Sequence, residues 1–138
     1  MSFTPSSNSL PANCYWLGIG CQRGIEATSI AAAIDVVATQ FALAISEIVG
    51  LATIDFKADE AGLIRYARQQ DLPIKFFAAS DLARVIIPHP IPHLLAARDI
   101  PSVAEASAIL ASGRDTFIVT KQIYHCPNTG RYITLAIA

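Results

Sequence analysis

The sequence predicts one α/β domain: a three-layer α/β/α sandwich around a mixed, mostly parallel sheet that finishes in a C-terminal β-hairpin. Three observations carry this. Short apolar runs alternate with helix-period segments over the first hundred residues, the pattern of successive β-α-β units. Two alternating runs then close the chain around Asn128-Thr129-Gly130, which is hairpin chemistry. Finally, 53% of the 138 residues are hydrophobic and only 15% are charged, so most elements must bury at least one face.

The elements follow in order. Residues 1–13, rich in Ser, Asn and Pro, read as a disordered tail, and 14–138 as the folded domain. Tyr15 to Ile19 is a short apolar run with a glycine exit, hence a buried strand. Ile30, Ile34, Val37 and Phe41 recur at helical spacing, with Glu26 where a helix N-terminus favours an acid. Ile48 to Ile54 is the second strand. Asp59 is the expected cap of the next helix, which buries Leu63, Tyr66 and Ala67. Pro73 to Ala78 is a third strand, followed by a brief helical turn capped by Ser80. Pro88, Pro90, Pro92 and Pro101 exclude a regular helix between Arg84 and Pro101. Ser102 and Glu105 then form a capping box for a helix with Val103, Ala106 and Leu110 inward. Phe117 to Ile123 and Arg131 to Ile137 are the hairpin strands, which could add to either edge of the sheet.

Composition narrows the function. A net charge of −1 with no basic run gives no field for nucleic acid or anionic membrane. Acidic residues interrupt the longest apolar run, Ile25 to Leu51, so no membrane span is expected. Cys14, Cys21 and Cys126 form no C-x-x-C pair and leave one over, which suits a reducing, cytoplasmic setting.

Two segments carry chemistry. In Leu17-Gly18-Ile19-Gly20-Cys21-Gln22-Arg23-Gly24, a strand runs into a glycine-rich turn. Gly18, Gly20 and Gly24 permit positive φ and close backbone approach, so N–H groups can face an anion. Arg23 offers a planar fork for a carboxylate, and beside it Cys21 would gain thiolate character. The plainer reading is a tight turn in which Cys21 simply packs. In Thr53-Ile54-Asp55-Phe56-Lys57-Ala58-Asp59-Glu60, four of eight residues are charged, directly after a strand. Asp55 or Glu60 could serve as a general base if buried, and Lys57 could hold a carboxylate. Against this, Asp59 could merely cap the helix and Glu60 complement its dipole, with Lys57 neutralising both. In an open α/β sheet such loops meet at the carboxyl edge of the strands, where ligands bind.

Other motifs fail. Arg23 stands where the dinucleotide fingerprint needs its third glycine, and no acid follows some twenty residues on. A phosphate-transfer cysteine loop lacks its later arginine. His89 and His93 are separated by prolines, and His125-Cys126 are adjacent, so neither pair has metal-ligand spacing and no metal or cofactor is expected. Lys121, placed at the end of an inner strand, could reach the same edge as the loops. Arg65, Arg68 and Arg84 read as exposed helical faces.

The two loops resemble the C-terminal domain of the cobalamin-biosynthesis protein CbiG, which also occurs alone as CobE. Phe76-Phe77-Ala78-Ala79-Ser80-Asp81-Leu82, Pro101-Ser102-Val103-Ala104-Glu105-Ala106 and Lys121-Gln122 support the likeness, which covers Tyr15 to Ala138. Two departures stand out: Ile25-Glu26 replace the Ser or Thr expected after Gly24, and Pro88 to His93 is richer in proline. The resemblance implies a corrin-ring precursor as substrate, a large tetrapyrrole with many carboxylates. Two-domain relatives are cobalt-precorrin-5A hydrolases, which open a ring-fused lactone and release acetaldehyde.

Without that N-terminal domain in the chain, the expectation is a protein that binds and handles a precorrin or hydrogenobyrinic-acid-type intermediate. Gly18, Gly20, Cys21, Arg23, Gly24, Thr53, Lys57 and Lys121 would bind it, with Asp55 orienting Lys57 and Arg23. A lactone hydrolase using Asp55 and Glu60 is the alternative, and an accessory subunit of another cobalamin-pathway enzyme is a third reading.

Overall fold

The computed structural model describes residues 14–21, 24–57, 59–85, 103–114, 116–127 and 129–138. The expected tail, Arg23, most of the proline-histidine stretch, Ser102 and Asn128 lie outside them. In order come β1 (Tyr15–Cys21), α1 (Ala27–Gln40), a 3₁₀ turn (Ile45–Glu47), β2 (Ile48–Ile54) and a second 3₁₀ turn (Asp55–Lys57). Then follow α2 (Ala61–Gln70), β3 (Ile74–Phe77), α3 (Ala79–Ala83), α4 (Val103–Ser112), β4 (Val119–His125) and β5 (Tyr132–Ile137).

The five strands form one sheet of order β3-β2-β1-β5-β4. β1, β2 and β3 are parallel, while β5 runs antiparallel to both β1 and β4. The hairpin therefore joins through β5 on the side of β1 away from β2. This corrects the placement of Lys121: β4 is an edge strand, and Lys121 is its third residue.

The faces of the sheet differ in side-chain size. One carries Leu17, Ile19, Leu51, Ile133, Leu135 and Ile137, which pack against Ile30, Ile34 and Val37 of α1 and Leu63, Tyr66 and Ala67 of α2. Among these side chains, burial pushes the Tyr66 phenol above its usual range, with a smaller push from the Asp35 carboxylate. The other face carries small residues. Ala136 and Ala138 meet Ala104 and Ala108 of α4. The helix lies so close to β1 that a Cβ on Gly18 would stand 1.8 Å from the Ala104 carbonyl oxygen. Buried Ser107 ties the layers, its hydroxyl 2.6 Å from Val103 O and 3.1 Å from Ala52 O. Among the described residues, no helix is long and apolar enough to cross a membrane.

Several local expectations change. Ala104, Ala106, Ser107, Ala108 and Ala111 are the buried residues of α4, whereas Leu110 is exposed; Ala104, Ser107 and Ala108 meet the sheet, where only small side chains fit a helix this near. Phe41 is the half-open C-cap of α1 instead of a core residue. Ser80 lies inside α3, which is capped by Ala78, and Glu60 takes the cap position of α2 expected for Asp59. Of the first-loop glycines only Gly24 has positive φ, at +82°; Gly18 and Gly20 are strand residues.

Gly18 is the position least able to accept a side chain, since the opposing atom is backbone. Gly18→Ala should cost about 1–3 kcal/mol through overpacking, a fall in Tm of roughly 4–12 °C by thermal melting. An unchanged Tm would mean that α4 does not seat on β1 as described.

Candidate functional site at the carboxyl edge of the sheet

β1, β2 and β4 all end at one edge of the sheet, where β5 begins. Beyond the start of α4 at Val103, the small-residue face of the sheet opens into a cavity of about 550 Å³. Gly20 and Cys21 from β1, Ile54 and Lys57 from the end of β2, and Val103 line it. Across from them stand Lys121, Ile123 and His125 of β4 and Tyr132 and Thr134 of β5. The volume falls within the range of small-molecule sites, and the lining mixes apolar side chains with two lysines, a histidine, a tyrosine and a threonine. Ile123 and Tyr132 are 53% and 43% exposed, so apolar surface faces the opening. The rings of His125 and Tyr132 lie 6.3 Å apart, tilted by 53°.

A one-residue irregularity in β4 brings its side chains to this face. Val119 pairs with Ile137, yet Gln122 pairs with Leu135, so Thr120 and Lys121 together oppose Ala136. Such a bulge reverses the side-chain alternation beyond it. Val119 packs into the α1/α2 core, and strict alternation would send Lys121, Ile123 and His125 after it. With the bulge, Tyr124 turns to that core and those three residues line the cavity.

The two motif loops are joined by Glu60. Its buried carboxylate accepts the Gly24 N–H at 2.9 Å through Oε2, and Lys57 Nζ lies 4.0 Å from Oε1. A carboxylate that accepts a backbone N–H in a buried place is a stronger anchor than a surface ion pair. Lys57 itself is only 12% exposed and borders the cavity.

Of the residues singled out from sequence, Gly20, Cys21, Lys57 and Lys121 come together around one cavity. Arg23 is outside the described residues, between Cys21 and Gly24. The others hold the scaffold. Gly18 lies beneath α4, and buried Thr53 donates its hydroxyl to Ile19 O at 2.7 Å, closing β2 onto β1 where their ladder ends. Gly24 is the turn residue held by Glu60. Asp55 is exposed at the start of a 3₁₀ turn, and the carboxylate 4.0 Å from Lys57 Nζ is that of Glu60.

Sequence reasoning missed Ile123, His125, Tyr132 and Thr134. The hairpin pattern flagged their strands, but the bulge that sets their face leaves no mark in a regular alternation. It also missed Arg131, whose guanidinium lies beside Gly24, 2.6 Å from where a Cβ would stand. Among the described residues, no group of three or more His, Cys, Asp or Glu could hold a metal ion.

Glu60→Ala removes the link between the loops and should destabilise the fold by about 1–3 kcal/mol, whereas Glu60→Gln, which keeps an acceptor, should cost less. Urea unfolding measures both. Equal midpoints for Glu60→Ala and the unaltered protein would show that the link contributes nothing.

Comparison with known proteins agrees with the fold. Residues 15–138 match the family model described as Cobalamin synthesis G C-terminus. A cobalt-precorrin-5A hydrolase from Priestia megaterium is 27% identical over 106 residues, or 77% of this chain and 28% of the hydrolase. The chain thus spans little more than a quarter of the length of that curated relative. The crystal structure of CobE, a protein from the cobalamin (vitamin B12) biosynthetic pathway, superposes with a TM-score of 0.65 at 27% identity, covering 91% of this chain and 93% of CobE. The cobalamin biosynthesis protein chiG from Agrobacterium tumefaciens superposes with a TM-score of 0.63 at 26% identity, covering 89% of this chain and 95% of its own. A cobalamin biosynthesis protein G homologue from Sulfolobus solfataricus, 20% identical with a TM-score of 0.64, shares the fold over 90% of this chain and 36% of its own. Matched over its whole described length, the chain belongs to the family of the cobalamin synthesis G C-terminus, the CobE/CbiG C-terminal domain.

Proposed function

We propose that this protein binds a corrin-ring precursor in cobalamin biosynthesis, a precorrin or hydrogenobyrinic-acid-type tetrapyrrole, with the ring edge in the carboxyl-edge cavity. The observation that carries the reading is the convergence of Lys57 and Lys121 with the apolar side chains Ile54, Ile123 and Tyr132 around that cavity. Ammonium groups suit peripheral carboxylates, and apolar surface suits the face of a macrocycle. A cavity of about 550 Å³ admits an edge of such a ligand and leaves the remainder for solvent or for a partner protein. Arg23, two residues after Cys21 in the sequence, is a third cation in the same reading. Transfer to another enzyme of the pathway, in the cytoplasm, belongs to the same proposal.

Lactone hydrolysis is the second reading, favoured by the likeness to a cobalt-precorrin-5A hydrolase. The residues first considered for it suit it poorly, since Asp55 is exposed and Glu60 is committed to Gly24. The imidazole of His125, which lines the cavity, is the group in this reading that would act as a base. Release of acetaldehyde in a single turnover with the lactone substrate would select this reading over binding alone.

Titration of the purified protein with hydrogenobyrinic acid, followed in the visible spectrum, should saturate. Lys57→Ala and Lys121→Ala should each weaken binding about tenfold, equivalent to ~1.4 kcal/mol. Affinity unchanged by both substitutions would remove the carboxylate-gripping role.

A further inference from the structure

We propose that Glu105 is a positioning residue for Lys121: from the first turn of α4, its carboxylate holds the β4 bulge that turns Lys121 into the cavity. The role in binding rests on the function proposed above; the structural part does not.

The bulge has a chemical consequence besides its effect on register. Two residues facing one partner leave a backbone N–H without its place in the ladder. Here the Lys121 N–H donates to Glu105 Oε2 at 3.3 Å. Glu105 is the third residue of α4, two residues after the rim residue Val103, and through it the helix that roofs the sheet also reaches the edge strand. β4 needs such a hold. It is paired on one side only, and the register beyond the bulge determines whether Lys121, Ile123 and His125 face the cavity or the α1/α2 core. A slip of one residue would move a cation of the site to the wrong face. Glu105 is thus a contact between α4 and β4 that fixes which side chains the site presents, accepting a hydrogen bond from the backbone and acting on the ligand only through Lys121 and its neighbours.

An acid in the first turn of a helix also favours the helix dipole, a role that any structural glutamate would fill. The two roles separate experimentally. Amide hydrogen exchange at Lys121, read by NMR without ligand, should be slow in the unaltered protein and in Glu105→Gln, and at least tenfold faster in Glu105→Ala. Affinity for hydrogenobyrinic acid should fall about five- to tenfold in Glu105→Ala and recover in Glu105→Gln. The double variant Glu105→Ala/Lys121→Ala should weaken binding by less than the product of the two single effects, because both disturb Lys121, whereas Glu105→Ala and Lys57→Ala should multiply in effect. Unchanged exchange at Lys121 in Glu105→Ala overturns the proposal, as does a multiplicative effect with Lys121→Ala. If the unaltered protein binds no hydrogenobyrinic acid, the proposed function fails, while the exchange measurement still decides whether Glu105 holds the bulge.

Discussion

The close approach of α4 to β1 at Gly18 is the constraint from which the rest of the molecule follows. An ordinary helix-on-sheet contact keeps the layers about 10 Å apart through interdigitating side chains. Here a carbonyl of the helix fills the place of the missing Cβ, and Ala104, Ala108 and Ala136 are small enough to let it. With so little side chain between the layers, the large apolar residues of the sheet go to the opposite face, under α1 and α2. The small-residue face is therefore a shallow floor wherever α4 does not cover it. At the carboxyl edge that floor, with Gly20 and Thr134 in it, becomes the cavity. Thr134 even anchors there, its hydroxyl donating to Gly20 O at 3.2 Å.

What the sequence made legible was whatever depends on periodicity. The strand at Ile48–Ile54 and the buried faces Ile30/Ile34/Val37 and Leu63/Tyr66/Ala67 follow from apolar spacing and are found as expected. So does the hairpin. What stayed hidden depends on contacts between distant segments. Gly18 looked like a loop glycine because its real requirement is Ala104, 86 residues away, pressing on it. Glu60 looked like a base or a helix-dipole acid, because the Gly24 N–H that it accepts lies 36 residues back. Leu110 looked like core because α4 has apolar residues on more than one face, and only the sheet's closeness selects the alanines. The bulge in β4 is the sharpest case. A single extra residue reversed the face of everything after it, and neither Thr120 nor Lys121 announces it.

The same division applies to the site. Residue chemistry and family likeness pointed to both loops and to Lys121, and four of those residues do surround one cavity. The wall opposite, from Ile123 to Thr134, comes from the hairpin, whose side of the sheet was open until the strand order was known. The resulting arrangement divides labour by element. β1 and β2 supply a thiol, a lysine and a small-residue floor. The edge hairpin supplies an apolar wall with a lysine, a histidine and a tyrosine. Glu60 and Glu105, two carboxylates that could pass for catalytic acids, act on backbone N–H groups and hold the loops and the bulge in place.

The central claim is that a tetrapyrrole carboxylate ligand occupies the carboxyl edge. Trp16 and Lys75, stacked 4.5 Å apart near the amino ends of β1 and β3, supply an internal reference at the other end of the sheet. The most direct measurement is amide chemical-shift mapping of the ¹⁵N-labelled protein on addition of hydrogenobyrinic acid. The account predicts shifts concentrated at Gly20, Cys21, Lys57, Ile123 and Thr134, with Trp16 and Lys75 unmoved. Shifts centred on Trp16 and Lys75, or none at the carboxyl edge at saturating ligand, would contradict it.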